Sequence, residues 1–183
     1  MSTLENKSIL LGVTGGVAIY KAVDLASKLT QAGALVDVVM TAAAEEFVKP
    51  LLFASITRRE VHTNPFSPAR KPGHIALAER PDVVLVAPAT ANTLAKIAAG
   101  IADNLLTDTL LATVKPVLVA PAMNCGMWNN PRTRRNIAAL KADGFSFVGP
   151  GTGNLACGDA GVGRMAEPVE IIAALEALVD SKK

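Results

Sequence analysis

The sequence is poor in several residue types that mark specialised proteins. Its 183 residues include two cysteines, two histidines, one tryptophan, one tyrosine and five phenylalanines, and its formal net charge is only +2. This near-balance of charge with few aromatic rings argues against a nucleic-acid-binding protein, which needs a basic surface and rings that stack on bases. His62 and His74 stand apart with no carboxylate arranged beside them, so the sequence predicts no metal site.

Long hydrophobic runs are also absent. No apolar stretch approaches the ~18 residues that a membrane-spanning helix needs, and the residues before Ser8 are mostly polar. We therefore expect a soluble, cytoplasmic protein without a membrane partner, in which Cys125 and Cys157 remain free thiols. Half of the residues are apolar, which is enough for a large core, and the length predicts a single domain over residues 1–183.

The apolar residues that are present form short β-branched runs separated by amphipathic segments. Runs of this kind are typical of parallel strands buried on both faces, and we predict strands at residues 8–14, 35–40, 83–87, 117–120 and 145–148. Helices are predicted at about residues 17–31, 94–99, 105–113, 132–141 and 169–178. This alternation predicts an α/β protein with a three-layer Rossmann-like fold and an open parallel sheet. The glycine-rich residues 149–167 are predicted to form a binding flap without secondary structure of its own.

Polar side chains are expected to form a site where the predicted strands end, because ligands of open parallel sheets bind beyond the carboxyl ends of the strands. Pro121 ends one strand, and Asn124 is the first strongly polar residue after it. Its carboxamide offers two donors and an acceptor. The preceding strand likewise ends in an Ala-Pro-Ala sequence, and the small residues of the two loops leave room for a flat ligand.

The glycines after the first strand open directly onto a predicted helix, a place where backbone N–H groups favour a phosphate. Their spacing does not match G-x-G-x-x-G, and Thr41 stands where a dinucleotide site needs an acidic residue, so the pattern argues against NAD. A mononucleotide phosphate held by Thr14, Gly15, Gly16 and Thr41 stays open. So does the simpler reading that the glycines only permit a tight turn.

His74 follows a proline-rich stretch and begins a predicted helix. The helix dipole favours a neutral imidazole at that position, which suits a base, although a lone histidine is more often structural. Both readings stay open on these residues alone.

Five motifs occur in order along the chain and are more specific together than any is alone. They are Gly12-x-x-Gly15-Gly16, Gly73-His74-Ile75-x-Leu77, Ala87-Pro88-Ala89-Thr90-Ala91-Asn92, Pro121-Ala122-Met123-Asn124 and Leu155-Ala156-Cys157-Gly158-x-x-Gly161-x-Gly163-Arg164-Met165. From about residue 7 to residue 173, the chain resembles the homo-oligomeric flavin-containing cysteine decarboxylases, most closely the members that serve coenzyme A biosynthesis.

The resemblance implies a flavoprotein fold, bound FMN, and decarboxylation of 4′-phosphopantothenoylcysteine to 4′-phosphopantetheine without net redox change. It also implies roles for three residues: His74 as a base near the substrate thiol, Asn124 as the group that holds the substrate carboxylate, and Cys157 as the proton donor that completes reduction of the enethiol. The residues that we expect to contact FMN are Thr14, Gly15, Gly16, Thr41, Thr90, Ala91 and Asn92. A homotrimer or homododecamer with flavin at subunit contacts is implied, as is a partner synthetase domain or protein.

Three alternatives share the fold. A flavin prenyltransferase has no use for the cysteine-bearing flap or for Pro-Ala-Met-Asn. A peptide cysteine decarboxylase uses the same residues and differs in the tail of its substrate. A flavin-binding regulatory subunit is disfavoured because His74, Asn124 and Cys157 are all retained. The arginines at positions 58, 59, 132, 134 and 135 are candidates, without preference, for the substrate phosphate.

Overall fold

In a computed structural model of the protein, which describes residues 3–66, 73–154, 158 and 160–181, six parallel strands form one sheet. The strands are β1 (Ser8–Val13), β2 (Leu35–Met40), β3 (Val61–His62), β4 (Val83–Ala89), β5 (Val117–Pro121) and β6 (Ser146–Phe147). Their order across the sheet is β3-β2-β1-β4-β5-β6. From β1 the chain adds strands first on one side of the sheet and then, from β4 onward, on the other side. Open α/β sheets bind ligands at such a switch point, which here lies between β1 and β4.

Helices cover both faces of the sheet. They are α1 (Ile19–Gln31), α2 (Ala42–Glu45), α3 (Pro50–Thr57), α4 (Gly73–Glu79), α5 (Ala91–Ala98), α6 (Leu105–Ala112), α7 (Cys125–Asn129), α8 (Pro131–Ala142) and α9 (Pro168–Asp180). Within the ranges that the structure describes, none of these helices is both long and apolar enough to cross a membrane.

Two hydrophobic cores lie on opposite faces of the sheet, because successive strand residues point to opposite sides. Ile9 packs in one core with Leu25 of α1 and Ile171 of α9. Leu10 packs in the other with Leu94 of α5. Helix, sheet and helix thus form three layers, as the sequence predicts.

Several element boundaries differ from the prediction for a local reason. The strand at residues 35–40 matches β2, but α5 begins at Ala91, earlier than the predicted start at residue 94. The hydroxyl of Thr90 accepts a hydrogen bond from the backbone N–H of Thr93, which caps the helix at this earlier point. Helix α7 was not predicted, and it begins because Asn124 caps it in the same way.

The prediction of a flap without secondary structure at residues 149–167 is wrong for residues 151–154 and 160–164. Strands β7 (Gly151–Asn154) and β8 (Ala160–Arg164) pair antiparallel as a hairpin. The hairpin docks on the loop after β5: the N–H of Met123 donates to the carbonyl of Gly163 over 2.9 Å. A Cβ atom at Gly163 would lie 2.2 Å from the carbonyl oxygen of Met123, so glycine is needed for this approach. Cys157 lies outside the described residues.

The contact between β1 and α6 gives a test of how tightly the sheet is packed. A Cβ at Gly12 would lie 2.5 Å from Cδ1 of Leu106, a side chain that is fully buried. We expect Gly12→Ala to lower the free energy of unfolding by about 1–3 kcal/mol through overpacking. Leu106→Ala should lower it by about 2–5 kcal/mol through a cavity. The double variant should lose less than the sum in urea denaturation, because the new methyl group fills part of the cavity, and additive losses would contradict this packing.

Candidate active site

Two cavities lie side by side beyond the carboxyl ends of the strands. The threonine cavity, of about 570 Å³, is lined by Gly15 and by residues that include Thr41, Thr90 and Thr93. The hairpin cavity, of about 730 Å³, is lined by parts of α1, by the loop after β5 and by the hairpin β7–β8. Ala122 and Met123 line both cavities. A ligand in one cavity and a ligand in the other would therefore meet at this loop.

Five of the residues expected to contact flavin line the threonine cavity together. They are Gly15, Thr41, Thr90, Ala91 and Asn92. Gly16 lines the hairpin cavity instead. Thr14 lines neither; it is buried, and its hydroxyl donates to the carbonyl of Pro88 over 2.6 Å and accepts from the N–H of Thr90 over 3.1 Å. Thr14 thus joins the glycine turn to the loop after β4.

The threonine cavity has the chemistry of an anion site. The N-terminus of α5 opens into it, with Thr90 as the capping residue, and Asn92 and Lys96 add polar and cationic groups. Backbone N–H groups at a helix start, hydroxyls and an ammonium are the donors that a phosphate uses. Asp103 lines the same cavity and is paired with Lys96, whose hydrogen bond lowers the pKa of that carboxyl. Because this pairing offsets the charge of the ammonium, the N–H groups and hydroxyls are the main donors for a phosphate.

Gly15 is required by the close approach of the chain after β2. A Cβ atom there would lie 2.5 Å from the backbone oxygen of Ala43. Because Ala43 also lines the threonine cavity, a larger residue at Gly15 would displace the wall of that cavity. The interpretation that the glycines permit a tight turn is therefore part of the explanation, since the turn fixes the position of the cavity residues.

Asn124 lines the hairpin cavity and is held in one orientation. Its Oδ1 accepts a hydrogen bond from the N–H of Gly126 over 2.7 Å, which caps α7. With the oxygen committed to the cap, the amide nitrogen is the end of the side chain that carries donors. Arg164 and Asn154 of the hairpin line the same cavity.

A buried lysine, which the sequence analysis did not single out, also lines the hairpin cavity. The side chain of Lys21 is 5% exposed, and its Nζ donates to the carbonyl of Met165 over 2.8 Å and to Oε1 of Glu167 over 2.9 Å. Arg164 reaches the same carboxylate oxygen over 2.9 Å. The hydrogen bond from Lys21 lowers the pKa of Glu167. The signal in the sequence was a lysine on the apolar face of α1, beside Ala22 and Leu25.

The other predicted functional residues are placed as follows. His74 is half-buried in the first turn of α4, which packs against α6, and it is not among the residues that line either cavity.

Two of the arginines considered for the substrate phosphate are engaged elsewhere. Arg59 forms a two-pronged ion pair with Asp37 over 2.8 and 3.0 Å. The guanidinium of Arg134 lies over the ring of Trp128 at 4.6 Å. Both arginines therefore have structural partners.

Comparison with known proteins gives consistent matches along the chain. The Flavoprotein family model matches residues 1–180. The coenzyme A biosynthesis bifunctional protein CoaBC of Bacillus subtilis (strain 168) is 50% identical over 171 residues, which cover 92% of this chain and 42% of that protein. The probable phosphopantothenoylcysteine decarboxylase of Streptococcus mutans is 44% identical over 174 residues, which cover 93% of this chain and 97% of that protein. The chain spans less than half the length of the bifunctional relative.

Solved structures agree with these relatives. A phosphopantothenoylcysteine (PPC) decarboxylase, in a Cys-to-Ser variant complexed with pantothenoylaminoethenethiol, superposes with a TM-score of 0.85 at 37% identity and covers 96% of this chain and 100% of that one. The FMN-binding protein AtHal3 superposes with a TM-score of 0.83 at 38% identity and covers 98% of this chain and 100% of that one. With a family model over nearly all its residues and full-length relatives at this identity, the chain belongs to the flavoprotein family that includes the phosphopantothenoylcysteine decarboxylases.

Proposed function

We propose that the chain decarboxylates 4′-phosphopantothenoylcysteine to 4′-phosphopantetheine, with FMN as its cofactor. The observation that carries the proposal is the pair of adjoining cavities: one has the donors of a phosphate site, the other is lined by Asn124, and both share Met123. The relatives support the same reaction, since the Streptococcus mutans protein and the solved PPC decarboxylase are both similar over almost their full length.

The substrate chemistry explains why a flavin site is needed. Direct loss of CO₂ from a C-terminal cysteine would leave a carbanion beside an amide nitrogen, which is no electron sink. When bound, FMN supplies a reversible two-electron acceptor, so that the thiol-bearing carbon is oxidised before CO₂ leaves and the enethiol is reduced afterwards. The sum is the substrate converted to CO₂ and a product in which hydrogen replaces the carboxyl group, with no net oxidation.

The residues of the threonine cavity fit the cofactor. Thr90 and the N–H groups at the start of α5 would hold its phosphate, and Thr41 and Asn92 add hydrogen-bonding groups to the same cavity. The apolar wall that the two cavities share is suited to a flat ring, because Ala122 and Met123 present no charged group there.

Asn124 would hold the substrate carboxylate in the hairpin cavity. A carboxamide is a neutral donor, and it binds a carboxylate more weakly than an ammonium or a guanidinium does. Strong binding of the ground-state carboxylate would oppose the loss of CO₂, because only interactions that favour the transition state raise the rate. A neutral donor, fixed by its cap on α7, orients the group without adding this cost.

His74 would act as the base for the substrate thiol, and we propose that it reaches the site from a second copy of the chain. It lines neither cavity of its own copy. The resemblance to the cysteine decarboxylases implies an oligomer with flavin at subunit contacts. Cys157 would donate the proton that completes reduction of the enethiol. A phosphopantothenoylcysteine synthetase, as a domain or a separate protein, would supply the substrate.

The proposed function has a direct test. The purified chain should bind FMN, show a flavin absorption band near ~450 nm, and release CO₂ and 4′-phosphopantetheine in equal amounts from 4′-phosphopantothenoylcysteine. A peptide with a C-terminal cysteine serves as the competing substrate, and faster turnover of that peptide would assign the chain to peptide decarboxylation instead. A chain that binds no FMN, or that binds it and releases no CO₂ from either compound, would refute the proposal.

The same assay tests the role of the Cys157 thiol. Cys157→Ser should still release CO₂, while an enethiol product accumulates in place of 4′-phosphopantetheine. In the solved PPC decarboxylase, a Cys-to-Ser variant is likewise complexed with an enethiol compound. An undiminished yield of 4′-phosphopantetheine would remove Cys157 from the mechanism.

Asn124→Asp tests the carboxylate-binding role with little change of shape. The aspartate keeps an oxygen that can accept from Gly126, but it replaces a donor with a negative charge that repels the substrate carboxylate. We expect kcat/KM to fall roughly 100-fold, the equivalent of about 2–3 kcal/mol for a lost hydrogen bond to a charged group. Asn130→Asp is the matched control, since Asn130 caps α8 by accepting from the N–H of Arg132 over 2.9 Å and lines neither cavity. Equal losses in both variants would assign the effect to capping.

Mixing inactive variants tests whether one site uses two copies. His74→Asn and Asn124→Asp should each be nearly inactive alone. When the two are co-expressed and assemble at random, roughly a quarter of the shared sites contain both native residues, and a corresponding fraction of the wild-type activity should return. If His74 and Asn124 act within one copy, mixing restores nothing, so the absence of recovery in verified mixed oligomers would reject the shared site.

A further inference from the structure

Lys21 forms a contact that the proposed reaction does not explain. It is a buried cation on the apolar face of α1, and burial of an ammonium is costly unless the charge is paired and its donors are satisfied. Its Nζ meets both the carbonyl of Met165 and a carboxylate oxygen of Glu167. Such a costly arrangement on a cavity wall calls for a role beyond packing.

The partners of Lys21 all belong to one continuous segment. Arg164 is the last residue of β8, Met165 follows it, and Glu167 immediately precedes α9. Lys21 comes from another element, α1, and is 144 residues away in sequence from the carbonyl that it binds. Its contacts therefore tie the end of the hairpin to helix α1.

Few residues of the hairpin itself are buried: Val162 packs partly against one core and Gly161 lies against Cys125, while Met165, just after β8, is buried in the other core. The residues of β7 are mostly exposed, and in β8 only Gly163 is buried. A hairpin with few buried side chains has low local stability and opens easily. Two hydrogen bonds hold it on the cavity side: the N–H of Met123 donates to the carbonyl of Gly163 over 2.9 Å, and Nζ of Lys21 donates to the carbonyl of Met165, the residue after β8, over 2.8 Å.

The ion pair between Arg164 and Glu167 cannot substitute for Lys21. Both residues lie on the same segment, three positions apart, and both side chains are nearly half exposed. Exposed pairs of this kind contribute little, and this one would move with the segment. Lys21, by contrast, is carried by a helix whose Leu25 and Leu29 are fully buried.

We propose that Lys21 is a positioning residue, which fixes the hairpin β7–β8 as the wall of the hairpin cavity and so sets the affinity for the substrate. The inference rests on the proposed function in one respect: the molecule bound in this cavity is the anionic cysteine substrate. The contacts of Lys21 with Met165 and Glu167, which we call the tether, can be tested without turnover.

Lys21→Met tests the tether, because methionine is unbranched, fits a buried position and removes the ammonium. We expect amide hydrogens of residues 151–154 and 160–164 in the FMN-loaded protein to exchange roughly tenfold faster or more, since local opening becomes easier. We expect KM to rise roughly tenfold with a smaller change in kcat, the pattern of lost substrate binding. The affinity for FMN should stay unchanged, because Lys21 does not line the threonine cavity.

Two further variants in α1 and one at Glu167 complete the experiment. Lys28→Met is the matched control, since Lys28 is in the same helix and pairs with Asp24. It should leave exchange, KM and FMN affinity at wild-type values. Lys21→Arg keeps a cation with several donors and should restore KM to within about twofold of wild type. If Lys21→Met fails to fold, Glu167→Gln weakens the same contact from the other side and should shift exchange and KM in the same direction.

The outcomes separate the tether from the proposed function. Unchanged hairpin exchange in Lys21→Met would overturn the tether, and faster exchange with unchanged KM would overturn its role in substrate binding. If Lys21→Met lowers the FMN affinity, raises KM and lowers the global stability together, Lys21 acts only on folding. If the wild-type protein does not turn over the substrate, the proposed function fails, while amide exchange still decides whether Lys21 holds the hairpin.

Discussion

The close approach of two backbone segments, at Gly163 and Met123, is the constraint on which the rest of the site depends. The hydrogen bond between them places a glycine-rich hairpin directly on the loop that follows β5. A side chain at Gly163 would collide with the carbonyl of Met123, so no other residue permits this distance. Gly161 meets the next turn in the same manner, since its Cβ would lie 2.9 Å from that of Cys125. Without this docking, the hairpin cavity would lose one of its walls.

The loop after β5 also couples the two cavities. Ala122 and Met123 line both of them, and Asn124 caps α7 immediately afterwards. The N–H of Ala122 bonds to the carbonyl of Ala89, which joins this loop to the end of β4. Thr14 then joins β4 to the glycine turn through its buried hydroxyl. A continuous set of hydrogen bonds thus holds the strand ends together, and groups bound in the two cavities are positioned by the same framework.

Features that depend on local sequence could be predicted, and features that depend on distant contacts could not. The β-branched run at residues 35–40 specifies β2, and the sheet and its helical layers follow from the alternation of such runs. The hairpin was missed because its glycines have no local pattern, and its stability comes from a loop about 40 residues away in sequence. Five residues expected at the flavin site come together because they follow strand ends, whereas His74 is on a helix whose own copy does not bring it to either cavity.

The distribution of charge in the hairpin cavity agrees with a site for decarboxylation. Lys21 and Arg164 both line it, and either cation could in principle bind a substrate carboxylate tightly. In the structure both are paired with the one carboxylate of Glu167, whose negative charge offsets one of their two positive charges. Asn124 lines the same cavity and contributes a neutral carboxamide. Since a carboxylate that is about to become CO₂ must lose its negative charge, a wall of committed cations and a neutral carboxamide favours the reaction over tight binding of the substrate.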